Sequence, residues 1–287
     1  MLKISVEKDG VLVTPPYTVI LEETLFSGQA FRWRRSGENE FRGITSRGAI
    51  TLCQVGESIL FKGITEDEFH SFWRNYFDLD NDYTLIRQAV ENDTNVCRAL
   101  SVHKGIVIMR QPFWETLISF IISANNNIPR ISSTIERLSR AFGNPIGEGG
   151  EDYSFPTPEA LAEADIDALR ACGVGYRDAY IKSTAQKIAS GEFNPEHLKG
   201  MTRLEARKAL CTLQGVGEKV ADCILLFSLG FEDAFPIDVW VKRTMSSLYF
   251  EGAEISNRKI EQKVGEIFPQ WSGYAQQVLF HWMRTGS

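Results

Sequence analysis

The chain has 287 residues, 43% hydrophobic and 24% charged, which is the balance of a soluble globular protein and excludes a disordered one. Its formal charge is −6, with the same acidic excess on either side of residue 104, so nucleic acid can be held only by a local surface and backbone dipoles. The longest apolar run, Phe113 to Ile122, contains Glu115 and falls short of the roughly 20 residues a membrane span needs. No long apolar segment of the signal-peptide kind follows Met1, so the expectation is an intracellular, soluble protein. The five cysteines form no C-x-x-C pair and the four histidines are scattered, which argues against disulfides, zinc or an iron–sulfur cluster.

Residues 1 to about 63 read as short strands. Phe31-Arg32-Trp33-Arg34 alternates, as do Phe41-Arg42 and Ile50-Thr51-Leu52, with Ser36-Gly37, Arg47-Gly48 and Val55-Gly56 as turns. An antiparallel meander with one buried face is expected. Thr65-Glu66-Asp67-Glu68 then has capping-box spacing ahead of Phe69, Phe72, Trp73 and Phe77, and a second helix runs from about Tyr83 to Val90. Past Lys104 the pattern is almost wholly helical. Ile128, Ile131, Ile135, Leu138 and Phe142 line one helix face, and Gly143 to Pro158 is the one stretch expected to be a flexible loop. Further helices are expected over Leu161–Ala171, Tyr180–Ala189, Arg203–Leu213, Lys219–Ser228, Val239–Leu248, Ile260–Phe268 and Ala275–Met283. The fold class is α+β.

The most informative stretch is Leu210 to Cys223, where one helix runs into Gly215-Val216-Gly217 and another starts at once. Paired glycines allow a tight turn with positive φ. The first N–H groups of the second helix then face outward at a positive dipole end, a surface able to hold a phosphate whatever the net charge. An ordinary helix–helix turn is the plain alternative. Lys219 stands in that first turn, where a cation is disfavoured, and the placement favours a neutral, nucleophilic amine. Downstream, Phe235-Pro236-Ile237-Asp238-Val239-Trp240 sets a carboxylate just before another helix, where it also suits an N-cap.

Gln214 to Asp222 followed by Pro236-Ile237-Asp238-Val239 resembles the helix–hairpin–helix, Gly/Pro–Asp superfamily of base-excision DNA glycosylases, and within it the 8-oxoguanine glycosylase/AP lyase family. Ser27 to Trp33, Ser119 to Ile128, Gly175-Tyr176-Arg177 and Ala275 to Phe280 are similar to four more family blocks, in the same order. The resemblance implies a TATA-binding-protein-like antiparallel sheet domain with flanking helices over 1–104. An all-helical glycosylase domain over 105–287 would follow, with the hairpin at about 203–228.

The resemblance also implies roles. Lys219 would attack C1′ of an extruded nucleotide, releasing the base and forming a Schiff base that permits β-elimination, while Asp238 stabilises charge on the sugar. Gly28, Cys223, Gln276 and Phe280 would form the lesion-base pocket, the Gly28 carbonyl accepting the N7 hydrogen found only on the oxidised base. Asn125, Arg130 and Arg177 would hold the estranged cytosine, with Tyr176 as wedge, and the hairpin backbone at Gly215, Gly217 and Val220 would hold a phosphate. Leu169-Arg170-Ala171-Cys172-Gly173-Val174-Gly175 echoes the hairpin turn without a following lysine. The implied partner is double-stranded DNA carrying oxidised guanine opposite cytosine, met by a monomer with no membrane attachment, in the cytoplasm and nucleoid of a prokaryote. No cofactor is implied, save a monovalent cation at the hairpin when DNA is bound.

Two departures stand out: Gln214 where the hairpin usually has Pro, and Trp240 where the family commonly has His. The four-cysteine loop of the endonuclease III branch is absent. The competing expectations are a monofunctional alkylpurine glycosylase, which needs the Asp but no Lys, and a non-catalytic helix–hairpin–helix DNA-binding module.

Overall fold

The computed structural model describes residues 1–147 and 149–286. Six strands, β1 (Lys3–Glu7), β2 (Gly10–Thr14), β3 (Trp33–Arg35), β4 (Glu40–Thr45), β5 (Gly48–Val55) and β6 (Ser58–Lys62), form a sheet in the order β1-β2-β6-β5-β4-β3. The expected meander is β3 to β6, and the antiparallel β1–β2 hairpin adds to it at β6. Val11 pairs with Phe61 and Val13 with Ile59, all four fully buried, so the two-residue period sets one sheet face into a core. Strand β1 is mostly exposed and polar, which discourages a further strand from adding to that edge.

The capping box at Thr65 forms as its spacing predicts: Thr65 accepts from the Glu68 N–H while Glu68 accepts from the Thr65 N–H. The helical stretch it starts contains a π-turn over Phe69–Trp73, and Phe69 and Phe77 meet Phe61 edge-on at ring distances of 5.2 and 5.7 Å. The helix Tyr83–Val90 has the expected bounds.

The chain forms two compact units assembled from separated segments: Met1–Gln29, Cys53–Arg110 and Leu225–Ser287 in the first, Ala30–Leu52 and Gln111–Ile224 in the second. The change near Lys104 is thus a change of local structure, while the compact units interleave along the chain. Leu21, Leu25, Phe77, Tyr83, Phe268 and Tyr274 are buried in the first unit; Leu117, Ile118, Ile135, Leu138, Leu169 and Ile181 are buried in the second.

Two expectations are corrected. The stretch from Gly143 to Pro158 is anchored, not loose. Pro145–Ile146 pairs with Asp152–Tyr153, and buried Asp152 bridges to Arg34 at 3.0 Å and Arg42 at 2.5 Å. Burial alone would raise the Asp152 carboxyl, but the two guanidiniums hold it below the usual carboxylate range. Glu148, inside that stretch, lies outside the described residues. The helix expected over Leu161–Ala171 is broken into Pro158–Glu163 and Ile166–Leu169, because Asp165 caps a new start by accepting from the Asp167 and Ala168 N–H groups. No helix among the described residues is long and apolar enough to cross a membrane.

Candidate active site

In the second unit the hairpin joins the helices Arg203–Leu210 and Glu218–Phe227. Gly215 has φ +80°, and a Cβ there would lie 2.9 Å from the Tyr180 side chain, so both backbone and space demand glycine. Gly217 is different. Its φ is not positive and nothing lies within 4 Å of a Cβ added to it, so the positive φ that the glycine pair allows falls on Gly215 alone. Gly215 turns the chain; Gly217 leaves the exposed approach to the second helix bare. The first bond of that helix runs from the Ala221 N–H to Gly217 O at 2.9 Å, so the N–H groups of residues 218 to 220 lie outside its ladder. Gln214, in place of the usual Pro, is held through its carbonyl, which accepts from Thr184 Oγ1 at 3.1 Å. Leu213 O accepts from the Val216 N–H at 3.2 Å.

Lys219 is half-buried at the second position of its helix. Its Nζ donates to Ser123 Oγ at 3.3 Å and lies 5.1 Å from the Phe120 ring centre. Ser123 Oγ itself donates to Phe120 O at 2.7 Å, leaving its lone pairs for the amine. Phe120 packs edge-on against Phe31 at 5.4 Å. Cys223, one helical turn on from Lys219, is buried, as is Val220. Sequence reasoning quoted Ser123 and Phe120 within a family block but gave them no role. It also missed Asp222, which is buried and faces Arg203 at 3.7 Å and Arg207 at 3.3 Å, tying the two hairpin helices together.

The same unit carries the residues assigned to the opposite base. Asn125 is exposed with a left-handed φ of +50°, Arg130 is exposed on the first turn of Ile128–Phe142, and Tyr176 is 58% exposed. Arg177 departs from its expectation. It is 6% exposed, donating to Val174 O at 3.1 Å and to Ala124 O, and it stacks 4.4 Å over Tyr176. Two backbone carbonyls claim its guanidinium, so it braces the Asn125 loop against the Tyr176 turn. Only its Nε is buried without a partner. The echo of the hairpin holds in the backbone: Gly173 has φ +84° against +80° at Gly215, and Val174 and Val216 are both buried. Arg137 donates to Cys172 O at 2.8 Å and steadies that turn.

Gly28, Asp238, Gln276 and Phe280 belong to the first unit. Gly28 has φ +86° and is half-buried between Ser27 and Gln29, both wholly buried. Gln276 lies on the last helix, Ser272–Thr285, 4% exposed, and its Oε1 is buried with no partner. An amide oxygen left so is costly unless a ligand meets it. Phe280 is only half-buried, with the Arg284 guanidinium 5.6 Å over its ring, so it is not the core residue that a lone phenylalanine usually is. Asp238 caps Val239–Tyr249, its Oδ1 accepting from the Val241 N–H at 2.7 Å while Oδ2 takes no part in the cap. Trp240 is 60% exposed, with Arg243 over its ring at 5.7 Å. Among the described residues no group of three or more His, Cys, Asp or Glu could hold a metal ion.

A glycine turn with outward amides, a lysine beside it and an acidic helix cap define a helix–hairpin–helix DNA-binding fold of the glycosylase type. The chain belongs to the HhH-GPD superfamily of base excision DNA repair proteins, whose pattern it matches over residues 118–270, and residues 11–117 match the 8-oxoguanine DNA glycosylase N-terminal domain. It is 30% identical to the N-glycosylase/DNA lyase of Saccharomyces cerevisiae, covering 95% of this chain and 85% of the yeast protein. With a probable N-glycosylase/DNA lyase of Methanothermobacter thermautotrophicus the identity is 33%, over 73% and 72% of the two chains. The structure is similar, at TM-score 0.93 and 37% identity over 99% and 98% of the chains, to the Clostridium acetobutylicum 8-oxoguanine glycosylase/lyase bound to double-stranded DNA with cytosine opposite 8-oxoguanine.

Proposed function

We propose that this chain is a bifunctional DNA glycosylase and AP lyase that removes 8-oxoguanine opposite cytosine, acting as a monomer in the cytoplasm and nucleoid. The lone pair of the Lys219 amine attacks C1′ of the extruded nucleotide as the bond from C1′ to the base nitrogen breaks, and the base leaves with that electron pair. The attached amine loses one proton, its remaining lone pair then expels the ring oxygen O4′, which takes up a proton, and an iminium that keeps one N–H results. That iminium draws electrons as a C2′ proton is removed, and the 3′ phosphate departs by β-elimination. Asp238, whose Oδ2 stands outside its cap, stabilises the positive charge that develops on the sugar. Gln276 reads the Watson–Crick edge with its unpartnered Oε1, Phe280 and Cys223 line the base faces, and the Gly28 carbonyl accepts from N7–H. Asn125 and Arg130 meet the estranged cytosine with Tyr176 as wedge, while Arg177 braces them. The hairpin amides from Gly217 to Val220 take a backbone phosphate.

The observation that carries this reading is Lys219, half-buried against Phe120 and Ser123 at the head of the hairpin's second helix. A glycosylase that uses water alone has no need of it. Borohydride trapping on a duplex with one 8-oxoguanine opposite cytosine tests it. Wild type should give a covalent adduct. Lys219→Gln should give none, still bind, and release base on the order of 10³-fold more slowly, about 4 kcal/mol of barrier. Base release without any trapped adduct in wild type would mean a monofunctional mechanism; full retention of function by Lys219→Gln would leave only a DNA-binding module.

A further inference from the structure

The turn that carries Gly28 is gripped from two sides within the first unit. From its own segment, Ser27 Oγ donates to Thr24 O at 3.0 Å, and Gln29 Nε2 donates to Thr24 O and Val107 O, both at 2.9 Å. The Met109 N–H closes that set by donating to Gln29 Oε1 at 2.9 Å. From the last helix, Gln277 Nε2 donates to Ser27 O at 2.8 Å, and Arg284 donates to Phe26 O. Gln277 is 2% exposed and directly follows Gln276. Arg284 sits at the surface and also covers the Phe280 ring.

The carbonyl of Ser27 and the N–H of Gly28 belong to one rigid peptide plane. A donor fixed on Ser27 O therefore fixes the plane from which the Gly28 φ of +86° is measured. Glycine has no Cβ to limit that angle, so without an outside hold its carbonyl swings through a wide range. An acceptor that must distinguish one N–H from a bare ring nitrogen works only when it is held before the base arrives.

We infer that Gln277 is a positioning residue for lesion specificity: its amide holds the Ser27–Gly28 peptide so that the Gly28 carbonyl is aimed at N7–H of the oxidised base. This rests on the proposed function. Arg284 assists through the preceding carbonyl. Neither residue touches the sugar or the phosphate in this account, so the strand-cleaving step on a site that has no base is independent of them.

That independence supplies the test. Each variant is assayed on two duplexes opposite cytosine, one with 8-oxoguanine and one with an abasic site. Gln277→Leu should lower kcat/KM for base release tenfold or more, while cleavage of the abasic duplex stays within about twofold of wild type. Gln277→Glu should recover part of the base-release loss, relative to abasic cleavage, as pH falls, because a protonated carboxyl donates where a carboxylate cannot. If Gln277→Leu does not fold, Arg284→Met should show the same selective loss at smaller size. Equal loss on both duplexes, or no loss on either, overturns the inference. A wild-type protein that cleaves the abasic duplex yet leaves 8-oxoguanine in place overturns the substrate reading itself, and this inference with it.

Discussion

Under the proposed mechanism, Asp238 serves folding and chemistry through different atoms. Its Oδ1 caps Val239–Tyr249, and only its other oxygen is left for a developing cation. Asn keeps the capping geometry and removes the charge, whereas Ala removes both. Asp238→Asn should therefore unfold at the wild-type urea midpoint yet release base far more slowly, and Asp238→Ala should lose about 1 kcal/mol of stability besides. Equal stability for the two variants, measured together with single-turnover base release, would show that the cap contributes nothing. Gln276 makes the complementary case. Its unmet Oε1 marks a cost accepted in the unliganded protein, of the kind tolerated where a ligand later supplies the partner.

Among the elements, the hairpin separates its two glycines by task. Gly215→Ala must accept a left-handed φ and a contact of 2.9 Å with Tyr180, so it should destabilise the protein by about 2 kcal/mol or more. Gly217→Ala meets neither obstacle and should leave the thermal midpoint nearly unchanged, but its methyl would stand in the path of the phosphate that the proposed function brings to the amides. Weaker duplex binding with normal stability is expected for Gly217→Ala, read by anisotropy alongside thermal unfolding; the opposite pattern would reassign the two positions. Sequence alone displayed the G-x-G spacing but not this division, since φ depends on what packs over each residue. Several local signals were readable: the Thr65 capping box, the Tyr83–Val90 helix and the meander strands appear where periodicity and caps set them. What stayed hidden was long-range. Asp152 meets Arg34 and Arg42 across more than a hundred residues, and Gln277 reaches Ser27 across 250, and no local pattern encodes such partners. Arg177 looked like a surface donor for the same reason, because the carbonyl of Ala124 that claims it lies 53 residues away.

The stability of the whole molecule should respond to pH through two groups whose charge the fold resists in opposite senses. Burial pushes the Glu115 carboxyl up from 4.5 to about 7, against the pull of Arg32. Burial, then the neighbouring His103 and Arg284, push the His281 imidazole down from 6.5 to about 4. Between pH 4.5 and 7 native Glu115 keeps a proton that the unfolded chain gives up, so its contribution to stability falls as pH rises. Between pH 4 and 6.5 the unfolded chain takes up a proton that native His281 refuses, so that contribution rises with pH. Each amounts to at most about 3 kcal/mol, and over their shared range they largely cancel. Glu115→Gln removes one side of the balance. Its urea midpoint should climb from pH 4.5 to 6.5 where wild type stays nearly level, and above pH 7 it should exceed wild type by up to about 3 kcal/mol. Glu115 also shares the helix Phe113–Ser123 with Phe120 and Ser123, the two residues that hold Lys219. Charging that carboxylate in wild type should therefore loosen the lysine's seat, so that abasic-strand cleavage falls more steeply above pH 7 than in Glu115→Gln. Parallel pH profiles for the two proteins, in both stability and cleavage, would show that the carboxyl is ionised in the native state at its ordinary pH.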